Sequence, residues 1–149
     1  MRNIILVLVL FLVKTASCSA QILHPVKWSY GAKKTGDKRA TIFIKAIIEK
    51  GWHIYSVHQP RGGPQKTSFN FVQSDRYKMV GDVIEPTPIV RFEKVFGIKV
   101  KYFEKSVIFQ QKLLMNSPVT VVKGHVNFMV CNDHQCLPPE DVDFSIPVK

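Results

Sequence analysis

Thr41-Ile42-Phe43-Ile44-Lys45-Ala46-Ile47-Ile48-Glu49 decides the fold class of this chain. Ile42, Ile44, Ala46 and Ile48 fall on one side of an extended backbone, and Thr41, Lys45 and Glu49 on the other. Successive strand side chains point to opposite faces, so a period of two held from 41 to 49 predicts a half-buried β-strand. The same signs recur outward from it. Lys50-Gly51 reads as a turn and residues 52–57 as the next strand. Thr67, Phe69 and Phe71 share a face of another, and residues 77–83 are rich in β-formers. Val107, Phe109 and Leu113 mark a strand behind Lys105-Ser106. Residues 119–130 form a long β-branched run in which Gly124 predicts a bulge. Val142, Phe144 and Ile146 alternate with Asp143 and Ser145. There is no convincing apolar stripe of helical period, no internal repeat and no low-complexity linker. The expected fold is an all-β sandwich of short strands.

The amino end reads as an address. Arg2 precedes an unbroken apolar run over residues 4–13, and the small residues Ala16-Ser17-Cys18-Ser19-Ala20 follow Lys14-Thr15. This is the pattern of a secretory signal peptide cut after Ala20. Ten residues of helix reach only about 15 Å, half a hydrocarbon core, which is too short for an anchor. Lipidation of Cys18 is the alternative, but Thr15 stands where such sites usually carry leucine. The expected organisation is a leader at 1–20 and one soluble domain at 21–149. Losing Arg2 and Lys14 takes the formal charge from +10 to +8, and losing Cys18 takes the cysteines from three to two. The remaining lysines are scattered, with no arginine-rich run and no nucleic-acid motif. A solvated basic surface is therefore expected, with no nucleic-acid partner.

The two cysteines left are Cys131 and Cys136, in Val130-Cys131-Asn132-Asp133-His134-Gln135-Cys136-Leu137-Pro138-Pro139-Glu140. A disulfide between them would close a loop worth only about 2 kcal/mol, against about 4.7 for a loop of a hundred residues. A domain of this size buries roughly two thirds of its surface and folds without a staple. The pair is thus a poor staple, placed on a loop after one strand and before the prolines that precede the next. Spacing alone leaves open a small structural disulfide or a redox pair.

The residues around the pair resemble a family. Cys131…Cys136-Leu137-Pro138-Pro139-Glu140 is similar to the active-site hairpin of the amino-terminal domain of the thiol:disulfide interchange protein DsbD. Gly51-Trp52-His53-Ile54-Tyr55 resembles that domain's aromatic strand, and Val95-Phe96-Gly97 with its lysine-rich continuation resembles its cap loop. The likeness runs from about Val26 to Ile146. It implies an immunoglobulin-like sandwich in the periplasm that acts as a protein-disulfide reductase component. Its partners would be thioredoxin-like periplasmic proteins and a membrane-embedded reductase of the DsbD type. It implies no cofactor beyond a redox-active Cys131–Cys136 disulfide, and a monomer is expected. By the resemblance Cys136 attacks and Cys131 resolves. Val95, Phe96 and Gly97 form the cap, with Glu93 at its start, and His53 and Tyr55 support the pair. Two departures stand out. Four residues separate the cysteines, where five are expected in the best-known members. The sequence also has no multi-span region or thioredoxin-like domain after the sandwich, so separate proteins would supply them.

Two other readings remain at the level of sequence. One is a copper or zinc site built on Cys131, His134 and Cys136 with a further ligand from His53, His58 or His125, although no methionine follows the histidine as a copper loop wants. The other is a redox-inert interaction module with a structural disulfide. Arg61-Gly62-Gly63-Pro64-Gln65-Lys66-Thr67 lacks the glycine before Lys66 that a phosphate loop needs, and no nucleophile elbow appears.

Overall fold

The computed structural model describes residues 23–94 and 96–149; the expected leader, with Cys18, and the cap residue Val95 lie outside them. Among the described residues the eleven antiparallel strands are β1 (Val26–Gly36), β2 (Arg39–Ile48), β3 (His53–Tyr55), β4 (Ser68–Phe71), β5 (Tyr77–Ile84), β6 (Ile89–Glu93), β7 (Ile98–Glu104), β8 (Ser106–Met115), β9 (Thr120–Phe128), β10 (Val130–Cys131) and β11 (Glu140–Val148). They form sheets of order β1-β2-β8-β5, β10-β3-β7-β6 and β11-β9-β4. Among the described residues no helix is long and apolar enough to cross a membrane.

The alternation that predicts β2 is what builds the core. Ile42, Ile44, Ala46 and Ile48 are buried in one cluster with Val107, Phe109, Leu113 and Met115 of β8. Val122, Val126 and Phe128 of β9 and Phe144, Ile146 and Val148 of β11 close the same cluster from the opposite layer. Ile54, Phe103 and Val130 bring the β10-β3-β7-β6 sheet into it. Phe109 joins the layers, with Trp28, Phe69 and Phe103 rings at 6.4, 5.0 and 5.9 Å from its own.

Two expectations need correcting. Gly124 carries no bulge, because β9 pairs without a register shift along β11. The glycine is there for space: a Cβ would collide with the Asn70 carbonyl and the Phe144 ring. The run 119–130 is also not one strand. β9 pairs with β11 and β4, whereas β10 pairs with β3 in another sheet, and the change of sheet falls at Met129. Three strands were not expected. β1 is only half-buried, β6 is an exposed edge, and the lysines of Ile98-Lys99-Val100-Lys101-Tyr102 hid a regular alternation.

This architecture gives the β10-β3-β7-β6 sheet two different faces. Ile54, Phe103 and Val130 face the main core. Residues directly opposite across a ladder share a face. His53 stands opposite both Cys131 and Glu104, and Tyr55 opposite Tyr102. Tyr55, Val100, Tyr102 and Cys131 make a second small buried cluster on that other face, outside the main core.

Candidate functional site

Cys131 and Cys136 form a disulfide with S–S 2.02 Å and Cα–Cα 4.0 Å. They are bridged as cross-strand neighbours of a tight hairpin. On one side of the pair the Asn132 N–H donates to the Gln135 carbonyl, and on the other the Leu137 N–H donates to the Val130 carbonyl, each at 2.9 Å. The cysteines are thus a non-hydrogen-bonded pair between two hydrogen-bonded ones, where antiparallel side chains come closest. The loop is tied by Asn132, whose side-chain oxygen accepts from the N–H groups of His134 and Gln135 at 2.8 Å each. Asparagine is suited to such a turn because its short amide can reach its own backbone two residues on. Two backbone bonds and the Asn132 side chain therefore hold the hairpin alongside the S–S bond.

The two sulfurs have different surroundings. Cys131 is 1% exposed, in the second apolar cluster, whereas Cys136 is exposed. Beside Cys131 lies an aromatic pair that the sequence placed on one strand face. His53 Nε2 is 3.2 Å from Tyr55 Oη, and the His53 ring also packs against Tyr102 at 4.9 Å. Burial, and after it the Arg91 charge, holds the His53 imidazole below its ordinary pKa; Glu104, Glu93 and Asp133 pull the other way and are outweighed. Burial, then Glu93, pushes the Tyr55 phenol up to about 12. At neutral pH Tyr55 therefore keeps its proton and can donate it in a hydrogen bond, while His53 is an uncharged base.

Phe96 and Gly97 of the expected cap sit on the β6–β7 hairpin. The Glu93 carbonyl accepts from the N–H groups of Phe96 (3.2 Å) and Gly97 (2.9 Å). Gly97 has φ 68°, the left-handed conformation that lets the chain turn back into β7, and glycine enters it without a steric cost. Phe96, His53, Tyr55 and Glu93 line one depression of about 350 Å³ together with both cysteines. All the expected site residues in the described chain except Gly97 are therefore gathered on one wall or another of this depression.

Sequence reasoning missed Arg91, Tyr102, Asn132 and Asp133. Arg91 Nε and Nη2 each approach Glu93 Oε1 at 2.6 Å, and Nη2 stands 3.7 Å from Asp133 Oδ1. Its guanidinium carbon lies 5.4 Å from the Tyr102 ring centre. A two-residue alternation of Arg91 with Glu93 was the available signal, but the edge strand that carries them has too little apolar contrast to be seen. For the metal reading, His58 lines a separate depression beside Lys112, and His125 pairs with Asn70 at 2.9 Å. Among the described residues no three His, Cys, Asp or Glu side chains are grouped as metal ligands.

The fold and this loop define a class of domain: an immunoglobulin-like all-β sandwich with a short-loop disulfide set at its end, between a buried Cys131 and an exposed Cys136. The family described as thiol:disulfide interchange protein DsbD, N-terminal, matches residues 20–147, and the chain belongs to that family. Solved structures agree on the fold. The N-terminal periplasmic domain of ScsB from Proteus mirabilis matches with 22% identity and TM-score 0.59, over 85% of this chain and 49% of that one. The chain thus spans about half the length of that ScsB structure. The DsbD N-terminal domain of Neisseria meningitidis in its reduced form matches with 16% identity and TM-score 0.50, over 78% and 82%. The complex between the DsbD N-terminal and PilB N-terminal domains of the same organism matches with 14% identity and TM-score 0.55, over 84% and 87%. No curated protein sequence matches the chain.

Proposed function

We propose that this is an exported domain that relays reducing equivalents through Cys131 and Cys136 to thioredoxin-fold proteins of the periplasm. The observation that carries the reading is the contrast between an exposed Cys136 and a Cys131 that is 1% exposed, across a hairpin that two backbone hydrogen bonds also bracket. In the reduced state the Cys136 thiolate attacks a partner's disulfide. An S–S bond forms between Cys136 and the partner, and the partner's second sulfur leaves as thiolate. Cys131 then gives up its proton and attacks Cys136 Sγ, which closes the intramolecular disulfide and releases the partner with two electrons gained. In this reading the proton passes to the neutral His53, the ladder partner of Cys131. Phe96 shields the pair until a partner arrives. The upstream donor is a membrane-embedded reductase that attacks the exposed Cys136 sulfur in the reverse sense. The complex of the neisserial DsbD domain with a PilB domain supports a protein as exchange partner, and the periplasmic ScsB domain supports that compartment.

Thiol trapping tests the roles. With a purified oxidised thioredoxin-like partner, Cys131→Ser is expected to accumulate a mixed disulfide and Cys136→Ser to give none. The opposite pattern reverses the roles. A potential far below about −300 mV with no exchange in the wild type defeats the redox reading altogether.

A further inference from the structure

We propose that the outer face of the β1-β2-β8-β5 sheet is a docking surface for an anionic phospholipid membrane, on which the domain lies without spanning it. The lysines look scattered along the sequence, but the ladders gather a set of them. Lys27 stands opposite Ile47, and Lys33 opposite Thr41, which in turn faces Lys112. Lys45 stands opposite Ile108, and Leu114 lies between Arg39 and Lys78. Residues opposite one another share a face. The alternate positions, Ile42, Ile44, Phe109 and Leu113, are in the main core, so these six cations are on the outer side. Ile47, Val80, Ile84, Ile108 and Leu114 share that side and are each 39–48% exposed. The only acid in the four strands is Asp82. It falls where β5 slips register against β8, and it lines a depression with Lys112.

An anionic bilayer matches both features of this face. Its headgroups attract lysines whatever their spacing, and half-exposed aliphatic side chains enter the boundary beneath the headgroups. Lysine stems can lie along those side chains and keep their ammonium groups at headgroup level. A protein partner matches less well. Interfaces between proteins are enriched in arginine and aromatic residues and depleted in lysine. Here five of the six cations are lysine, and Phe43, the aromatic residue at the paired positions of this face, is half-buried. The disulfide belongs to another sheet, so docking does not occupy it. The proposal rests on the exchange reading for its purpose alone: a carrier held at an anionic leaflet stays close to a reductase embedded in it.

The test is cosedimentation of the purified, exported protein with lipid vesicles. At low salt it should bind vesicles of phosphatidylcholine and phosphatidylglycerol in equal parts, and not vesicles of phosphatidylcholine alone. Added salt should weaken the binding without abolishing it, because only the ionic part is screened. Each Lys or Arg near such a surface is worth about fivefold in partitioning. Lys33→Gln, Lys78→Gln and Lys112→Gln together should therefore weaken binding about a hundredfold. Lys66→Gln, Lys99→Gln and Lys123→Gln together remove the same charge away from this face, from the β3–β4 connection, β7 and β9, and should weaken it only a few-fold. Ile47→Thr with Ile108→Thr keeps β-branched residues in the strands and should remove the salt-resistant part. All of these side chains are exposed, so the variants keep the core intact. Equal losses in the two triple variants would reduce the effect to net charge and overturn the proposal, as would binding that ignores the anionic lipid. Retention on immobilised polyglutamate without any binding to the vesicles would also overturn it and assign the face to an acidic protein. Cys136→Ser should bind vesicles as the wild type does, so a failure of partner exchange counts against the function and leaves this result standing.

Discussion

Reducing Cys131–Cys136 should cost the folded domain no more than about 2 kcal/mol, because the bond closes a loop with a sequence separation of 5. That figure assumes that the reduced, unfolded chain gains the freedom of an open loop and that the folded hairpin is unchanged. The structure supports the second assumption. The Asn132–Gln135 and Leu137–Val130 backbone bonds bracket the pair, the Asn132 side chain ties the turn, and Val130 and Cys131 remain paired with Ile54 and His53. For a domain of about 130 residues with an unfolding entropy of about 2.1 cal/mol/K per residue, 2 kcal/mol is a fall in Tm of roughly 7 °C. Urea unfolding of the oxidised and the reduced protein, read from Trp28 and Trp52 fluorescence, measures the difference directly. Both tryptophans pack against the main core, so they report on global unfolding. The slope against urea should be the same in both states. Loss of cooperative unfolding on reduction, or a cost above about 4 kcal/mol, would show that the disulfide holds the fold and would refute the argument that it is free to cycle.

Gly124→Ala should cost about 1–3 kcal/mol in the same assay, since the new methyl meets the Asn70 carbonyl and the Phe144 ring and the backbone oxygen cannot swing away. A neutral result would mean that β4 and β9 can separate without penalty. The depressed pKa of His53 makes the unfolded state bind the proton first, so stability is complete above about pH 6.5 and declines as pH falls through the lower folded value. His53→Gln should flatten that part of the pH–stability curve, and an unchanged curve would remove His53 as its source. Phe96→Ala should speed reduction by a neutral phosphine several-fold with little change in Tm, because the Phe96 side chain lines the same depression as both cysteines but belongs to neither core cluster. An unchanged rate would remove the shielding role.

How much of this was legible in the sequence depends on whether burial left a contrast to read. β2 declared itself because its buried isoleucines alternate with exposed polar residues. β6 did not, because an edge strand with both faces exposed has no periodicity to show. Gly124 was legible as a special position but not as a close approach, since the same residue serves a bulge and a crowded contact equally well. At the site, Cys131, Cys136, His53, Tyr55 and Phe96 carry chemistry or aromatic bulk that stands out along the chain. Arg91 and Asp133 look like any two surface charges, separated by 42 positions. Only pairing β6 with β7, β7 with β3 and β3 with β10 brings them within one side chain of each other.

The change of sheet at Met129 has a bearing on how such a domain varies through descent. The core register is fixed by β9 against β11, the two strands that flank the thiols in the sequence. From Val130 onward the backbone answers to β3 instead, over two residues only. Lengthening or shortening the turn between the thiols therefore leaves the sandwich undisturbed on either side. Evolution can tune the reactive loop as an interchangeable tip, and a four-residue spacing in place of five becomes an adjustment the scaffold never registers.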